Sequence, residues 1–258
     1  TDCAFRIVVK NIFEKYNKDD ELLLFTEFMS SDGYVHNPTW VIKHILHTPN
    51  EKPLVAQIFW GDKDILVQTA IDLDRKYDFY AIELNIWCPS PKVMACWWWS
   101  FLMRDKSKTL DIIKEIRQNI KTKFSIKTRI WLDRNDKLWQ FDFLLKASEY
   151  VDMIGLHWRT MKDWHSWDVD FDYIYSLKNE LNPKVKLVWN WWIDSYQQAK
   201  DKLWNLDWIM IGQWSFGDPW IFTQHRPDID ELFETINYHL DLSVASEIYF
   251  KQNHFENW

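Results

Sequence analysis

The sequence predicts an α/β protein, a (β/α)8 TIM barrel that lacks its first strand in this chain and continues into the start of a C-terminal helical domain. Three observations carry this. Short runs rich in Val, Ile, Leu and Phe alternate with amphipathic stretches of helical length, the pattern of parallel βαβ units. The apolar runs are nearly continuous, as in strands buried on both faces. Polar residues gather at the C-terminal ends of those runs, where barrels of this kind carry their reacting groups.

In chain order, strands are predicted at residues 21–28, 53–59, 79–85, 124–130, 152–157, 185–190 and 208–212, and helices at 64–76, 108–121, 138–150, 171–181 and 195–204. Seven strands are legible. Thr1-Asp2-Cys3-Ala4-Phe5-Arg6 already enters a helix, so an eighth strand is expected ahead of it. A doubly wound open sheet is the competing arrangement, but no Gly-x-Gly-x-x-Gly loop follows the first strand. After Arg226-Pro227, helical patterns occupy 230–242 and 245–255. The expected division is a barrel over 1–224 and, over 225–258, the beginning of a helical region cut off at Trp258.

At 258 residues the chain is long enough for one such barrel, and 47% hydrophobic with 27% charged residues is a globular composition. No apolar run approaches the roughly 18 residues that span a bilayer, and no signal-peptide pattern opens the chain. Cys3, Cys88 and Cys96 are too irregularly spaced for a disulfide framework or a zinc site, which fits a reducing, cytoplasmic setting. A formal net charge of −7 argues against a broadly basic nucleic-acid binder and leaves room for a local basic patch. Nineteen tryptophans against five glycines is the anomaly, since glycine ordinarily makes up about 7% of a chain. Trp97-Trp98-Trp99, Trp131 and Trp191-Trp192 sit at the ends of elements, whereas an aromatic binding surface would place them at strand or helix periodicity.

The stretch Leu84-Asn85-Ile86-Trp87-Cys88-Pro89-Ser90-Pro91-Lys92 sets one thiol in a proline-braced turn directly after a strand. Other strand ends supply Glu27, Gln57, Asn85, Lys127 with Arg129, His157 with Arg159, Asn190, and Gly212 with Gln213. Each alone reads as a satisfied rim position, and the full set reads as a shared site. In Ser125-Ile126-Lys127-Thr128-Arg129 the alternation turns 125, 127 and 129 to one face. A lysine there needs an anion or an electron-rich ring; an internal salt bridge to Glu27 or Glu83 is the alternative. Asn190-Trp191-Trp192 and Gly212-Gln213-Trp214 fall where such barrels bind phosphate, after the last two strands.

Taken together, these motifs resemble the tRNA-dihydrouridine synthases over nearly the whole chain. Thr26-Glu27-Phe28, Val55-Ala56-Gln57-Ile58-Phe59, the Cys88 turn, Ile126-Lys127-Thr128-Arg129, His157-Trp158-Arg159-Thr160, Asn190-Trp191-Trp192 and Ile211-Gly212-Gln213-Trp214-Ser215-Phe216-Gly217-Asp218-Pro219-Trp220 follow in family order. The resemblance implies FMN bound by Gln57, Lys127, His157, Asn190, Trp191, Trp192, Gly212 and Gln213, with NADPH (or NADH) as reductant. It also implies hydride delivery to C6 of a tRNA uridine, with Cys88 protonating C5, and substrate contacts from Asn85, Lys92, Arg104 and Arg159, with no stable protein partner and no membrane. Lys106 and Lys108 would join the phosphate contacts, or else form an ordinary solvated helix start. Two further readings stay open: another FMN barrel oxidoreductase acting on a small pyrimidine-like molecule, and a non-catalytic tryptophan-rich binding protein.

The chain departs from the family where Gln213 replaces a common arginine, and where tryptophan replaces glycine at Trp60, Trp87, Trp97, Trp99, Trp131, Trp158, Trp191 and Trp214. Trp220 is a genuine family tryptophan by the same resemblance. We expect most of the others to be UGA codons that the source organism reads as glycine. A chain with indoles at all these sites is expected to be insoluble or flavin-free, because overpacking costs about 1–3 kcal/mol per site against the roughly 5–15 kcal/mol that holds a domain folded. The coding DNA checks this: UGA at Trp60, Trp131 and Trp191 with UGG at Trp220 is the expected result, and UGG at the first three would overturn it.

Overall fold

The computed structural model describes residues 1–86, 102, 105–129, 137–158, 169–190 and 192–254. Its strands are β1 (Leu24–Phe25), β2 (Met29–Ser30), β3 (Leu54–Phe59), β4 (Ala81–Asn85), β5 (Lys123–Arg129), β6 (Met153–His157), β7 (Lys186–Asn190) and β8 (Trp208–Met210). All pair in parallel in one curled sheet, in the order β1-β3-β4-β5-β6-β7-β8, with β2 also lying on β3. The helices are α1 (Cys3–Tyr16), α2 (Ser31–His36), α3 (Pro38–Val41), α4 (Lys63–Lys76), α5 (Lys106–Asn119), α6 (Lys137–Ala147), α7 (Phe171–Glu180), α8 (Tyr196–Leu203) and α9 (Ile229–His254). The expected alternation of strand and helix is present.

The strand expected at 21–28 is broken in two. Leu24 pairs with Leu54 while Met29 pairs with Ile58, so this side carries one extra residue. Thr26 fills the break: its N–H donates to the Val55 carbonyl at 2.9 Å, and its Oγ1 accepts the Gln57 N–H at 3.1 Å. The extra residue shifts the alternation by one, so Leu24 and Met29 both pack in the main core.

Side chains of the sheet divide by parity. Ala56, Ile58, Ile82, Leu84, Phe124, Ile126, Ile154, Leu156, Leu187 and Trp189 meet the apolar stripes of the helices, among them Leu66, Leu73, Ile112, Ile116, Leu144 and Leu177. The other parity faces the concave side, with its own smaller apolar group of Val55, Ala81, Met153 and Val188. Helix starts are set by side-chain caps at Asp2, Asp62, Asp105, Asp170 and Ser195. Asp105 explains why α5 begins two residues before the expected position.

Register at the N-terminal side is pinned by carboxylates that accept strand N–H groups. Asp152 accepts from Phe124 N at 2.8 Å, Asp207 from Leu187 N at 2.8 Å, and Asp74 from Lys121 N and Thr122 N at 2.9 and 2.7 Å. Among the described residues no strand pairing joins β8 to β1. Side chains bridge that seam instead. Asp20, just ahead of β1, receives Lys200 Nζ at 2.7 Å and Tyr196 Oη at 2.6 Å from α8, and Asn17 donates to the Phe222 carbonyl at 3.2 Å.

The two helical pieces expected at 230–242 and 245–255 are one continuous helix, α9. Leu232 and Leu242 pack on a cluster of Val8, Ile12 and Trp220, and Asn11 donates to Tyr238 Oη at 3.2 Å, so α9 docks along α1. Glu231 fastens its first turn, accepting from Tyr16 Oη at 2.5 Å, Lys15 Nζ at 3.2 Å and His225 Nε2 at 2.5 Å. Burial works to raise the Glu231 carboxyl, but these three donors prevail and hold it at about 2. No helix among the described residues is long and apolar enough to cross a membrane.

Backbone strain at the tryptophans is confined, among the described residues, to one site. Trp204, the residue that ends α8, has φ 37° with its side chain 80% exposed, and no other non-glycine has a positive φ. Trp60 is half-buried against the main core; Trp158 is buried with its ring edge-on to Tyr173 at 5.6 Å. A residue after a helix in the left-handed region is the position that favours glycine, and a bulky side chain there costs about 1–2 kcal/mol.

Two predictions follow from this packing. Trp204→Gly raises stability by about 1 kcal/mol in chemical denaturation while Trp204→Ala does not. A depressed carboxyl contributes stability that is complete above its unfolded value of 4.5 and is lost as pH falls toward 2. Glu231→Gln therefore lowers the thermal midpoint at pH 7 by the equivalent of about 1–2 kcal/mol and flattens the decline between those two pH values, as read by calorimetry.

Candidate active site

Parallel pairing sets the concave face out in rows. One row runs Gln57, Glu83, Ser125, Met153. The next runs Asn85, Lys127, Gly155, Val188, Trp208, and the last, at the C-terminal rim, runs Arg129, His157, Asn190, Met210. Apolar Met153, Val188, Trp208 and Met210 form one side of this interior, and the polar members the other.

The polar members hold one another. Gln57 Nε2 donates to Glu83 Oε1 at 2.6 Å, Asn85 Nδ2 donates to Gln57 Oε1 at 2.8 Å, and Ser125 Oγ donates to Glu83 Oε2 at 3.3 Å. Further round, Lys127 Nζ donates to Asn190 Oδ1 at 3.4 Å, and Asn190 Nδ2 donates to the Met210 carbonyl at 2.9 Å. Glu83 is wholly buried; burial pushes its carboxyl above the usual range, opposed by the charge of Lys127 and by the donors Gln57 and Ser125. Gly155 makes room between the two charged residues. A Cβ there would lie 3.4 Å from Lys127 Cγ and 3.6 Å from Glu83 Oε2, so anything longer than alanine would displace one of them.

Lys127, Asn190 and Gly212 line a cavity of about 550 Å3 that opens between β1 and β8, walled by apolar side chains including Phe25, Val188, Trp208 and Met210. A Cβ on Gly212 would meet only Asn190 Nδ2, at 3.9 Å. The chain's own packing therefore does not demand glycine there, and the space it leaves faces the cavity side.

Of the residues expected at the site, Gln57, Asn85, Lys127, His157 and Asn190 lie on one face, with Gly212 at its edge. Gln213 and Trp192 are exposed and do not line the cavity; Trp192 instead meets Trp214 edge-on at 5.5 Å. Glu27, considered as a partner for Lys127, is engaged by His44 Nδ1 at 2.9 Å. Cys88, Lys92, Arg104, Arg159 and Trp191 lie outside the described residues. Glu83, weighed only as an ion partner of Lys127, and Ser125, placed only on the face of Lys127, join this network together with Gly155, which the sequence reading does not single out. Their signal was present: a carboxylate inside an otherwise apolar strand, with the parity of Asn85, needs polar neighbours on adjacent strands.

Cys3 offers a contrast to the expected reactive thiol. Burial first, and then a 3.1 Å hydrogen bond to Glu51, push it up to about 12. Glu51 is itself buried against Arg6, with Nε–Oε2 2.6 Å, so Cys3 belongs to a structural knot.

The family described as Dihydrouridine synthase (Dus) matches residues 1–254. A probable tRNA-dihydrouridine synthase of Helicobacter pylori is 31% identical over 237 residues, covering 90% of this chain and 69% of its own length. One from Rickettsia conorii is 29% identical over 258 residues, covering 99% of this chain and 74% of its own. The tRNA-dihydrouridine(20/20a) synthase of Yersinia pestis is 25% identical over 220 residues, covering 79% of this chain and 61% of its own. Among solved structures, a variant of NCR from Zymomonas mobilis shares the fold, with a TM-score of 0.52 at 11% identity over 88% of this chain and 84% of that one. With its family matched from the first residue to position 254, the chain belongs to the dihydrouridine synthases.

Proposed function

We propose that this chain reduces uridine in tRNA to 5,6-dihydrouridine, with FMN as bound cofactor and NADPH, or NADH, as reductant. The observation that carries the reading is the convergence of Gln57, Asn85, Lys127, His157 and Asn190 on one face of the sheet in a member of this family. The residues present fit such a cofactor. Lys127, Asn190 and Gly212 line a cavity of about 550 Å3 with an apolar wall, within the roughly 300–1,000 Å3 of cofactor sites, while Gln57 and His157 lie on the same face of the sheet beyond that lining.

FMN, when bound, supplies the hydride chemistry. Gln57, Lys127, His157 and Asn190 would hold it, and Gly212 with Gln213, Trp191 and Trp192 would flank its phosphate. Lys127 keeps a positive charge on the concave face beside Asn190, suited to an electron-rich ring. Asn85 ends β4 beside Lys127 and is the proposed hydrogen-bond partner of the uracil. Cys88 follows three residues later and is the proposed proton donor to C5. An ordinary thiol, with a pKa of about 8.5, stays protonated near neutrality. Lys92, Arg104 and Arg159 would meet tRNA phosphates, and α9 would begin the tRNA-binding region over 225–258. A cytoplasmic location accords with that substrate.

The test is direct. The full chain, in its tryptophan form and with glycine at Trp60, Trp87, Trp97, Trp99, Trp131, Trp158, Trp191 and Trp214, is assayed for flavin absorbance and for dihydrouridine formed on unmodified tRNA with NADPH. We expect the glycine form to be yellow, active on tRNA and inactive on free pyrimidines, and the tryptophan form to be insoluble or flavin-free; activity on free pyrimidines alone, or a colourless soluble glycine form, would refute the reading. In the active form Cys88→Ala lowers turnover about 10²–10⁴-fold with flavin retained. Lys127→Met weakens FMN binding about tenfold or more, read by flavin fluorescence.

A further inference from the structure

We infer that Glu83 is a positioning residue of this site, fixing the orientation of the Gln57 amide and, through it, that of Asn85. It thereby sets which donors and acceptors the two amides would present to a bound flavin, an inference that rests on the flavin reading just given. The geometry is a relay with one direction. Both Glu83 oxygens act as acceptors, Oε2 of the Ser125 hydroxyl and Oε1 of Gln57, and Lys127 in the next row favours the charged form, so Gln57 turns its Nε2 toward Glu83, 2.6 Å from Oε1. Its Oε1 is then committed to the other side, where it receives Asn85 Nδ2 at 2.8 Å. Flipping Gln57 would set an oxygen against the carboxylate and an N–H against the Asn85 N–H, two repulsive contacts among buried groups.

Burial protects that order. Glu83, Gln57 and Asn85 are 0%, 8% and 6% exposed, so bulk water does not compete for their hydrogen bonds. Ser125, beside Glu83 in the same row, donates to the second carboxylate oxygen and leaves Oε1 for Gln57. Gly155 leaves space at Oε2, and Lys127 in the next row supplies the opposite charge. A buried carboxylate is expensive to keep. An amide or an apolar residue of similar size would fill the same volume, so packing alone does not call for it.

Glu83→Gln separates orientation from packing, because the isosteric amide can donate as well as accept and no longer enforces one order. In the full chain with those eight glycines restored, and without flavin, side-chain amide signals of Gln57 and Asn85 are followed by NMR with solvent exchange. We expect those of Asn85, which does not touch position 83 in the relay, to shift and exchange faster in the variant. The exchange Gln57→Glu with Glu83→Gln puts the carboxylate at 57, where it accepts from both neighbours, and should restore the Asn85 signals. With FMN, Glu83→Gln should weaken binding about tenfold, and should have no further effect in a Gln57→Ala background. Unchanged Asn85 signals in Glu83→Gln overturn the inference. So does an equal loss of FMN affinity with and without Gln57, which would mean the charge acts directly on the pocket. Should the glycine form take up no FMN, the flavin reading fails by itself, and the amide signals still judge Glu83.

Discussion

Because side chains along a strand alternate with a period of two, the register of the parallel ladder decides everything that faces the interior. Lys127 lies between Asn85 and Gly155 only because Leu84 pairs with Ile126 and Ile126 with Ile154. A slip of one residue in β5 would send Ser125, Lys127 and Arg129 into the helical layer and bring Phe124, Ile126 and Thr128 inward. The carboxylates of Asp74, Asp152 and Asp207 hold the ladder against that slip, each taking a backbone N–H within a residue of where a strand starts. The chemistry at one end of the sheet thus depends on ordinary anchoring at the other.

A polar interior of this kind has to be satisfied group by group. An uncompensated buried charge is costly, and a partly satisfied network is worse than an apolar one. Here Glu83 takes two donors and Asn190 both accepts from Lys127 and donates to a carbonyl. Packing adds to this through an absence, since Gly155 lets the stem of Lys127 rise beside the carboxylate. The arrangement is specified by five adjacent strands, so each participant is placed by a ladder and none by a flexible loop.

Much of this was legible in the sequence. The alternation of apolar runs and amphipathic stretches gave the barrel-type order, and strand-end polarity picked out Gln57, Asn85, Lys127, His157 and Asn190, which share one face of the sheet. What was hidden depended on contacts between distant residues. The break between β1 and β2 turns on Thr26 accepting from a neighbouring strand, which no local pattern reports. α9 runs through Ser243, whose hydroxyl bonds back to the His239 carbonyl at 2.8 Å, so a residue that reads as a stop is absorbed into the helix. Glu83 reads as a strand carboxylate until register sets it between Gln57 and Ser125. The strain at Trp204 is visible only as a backbone angle.

The seam between α8 and the segment ahead of β1 carries a different lesson. Peptide hydrogen bonds fix the distance between adjoining strands, whereas the Asp20–Lys200–Tyr196 clasp sets its span through rotatable side chains and one exposed ion pair. Ionic strength weakens such a pair far more than it weakens a ladder. Among the described residues, salt would therefore loosen this clasp before it loosened the ladder from β1 to β8, and the clasp borders the cavity holding Lys127 and Asn190.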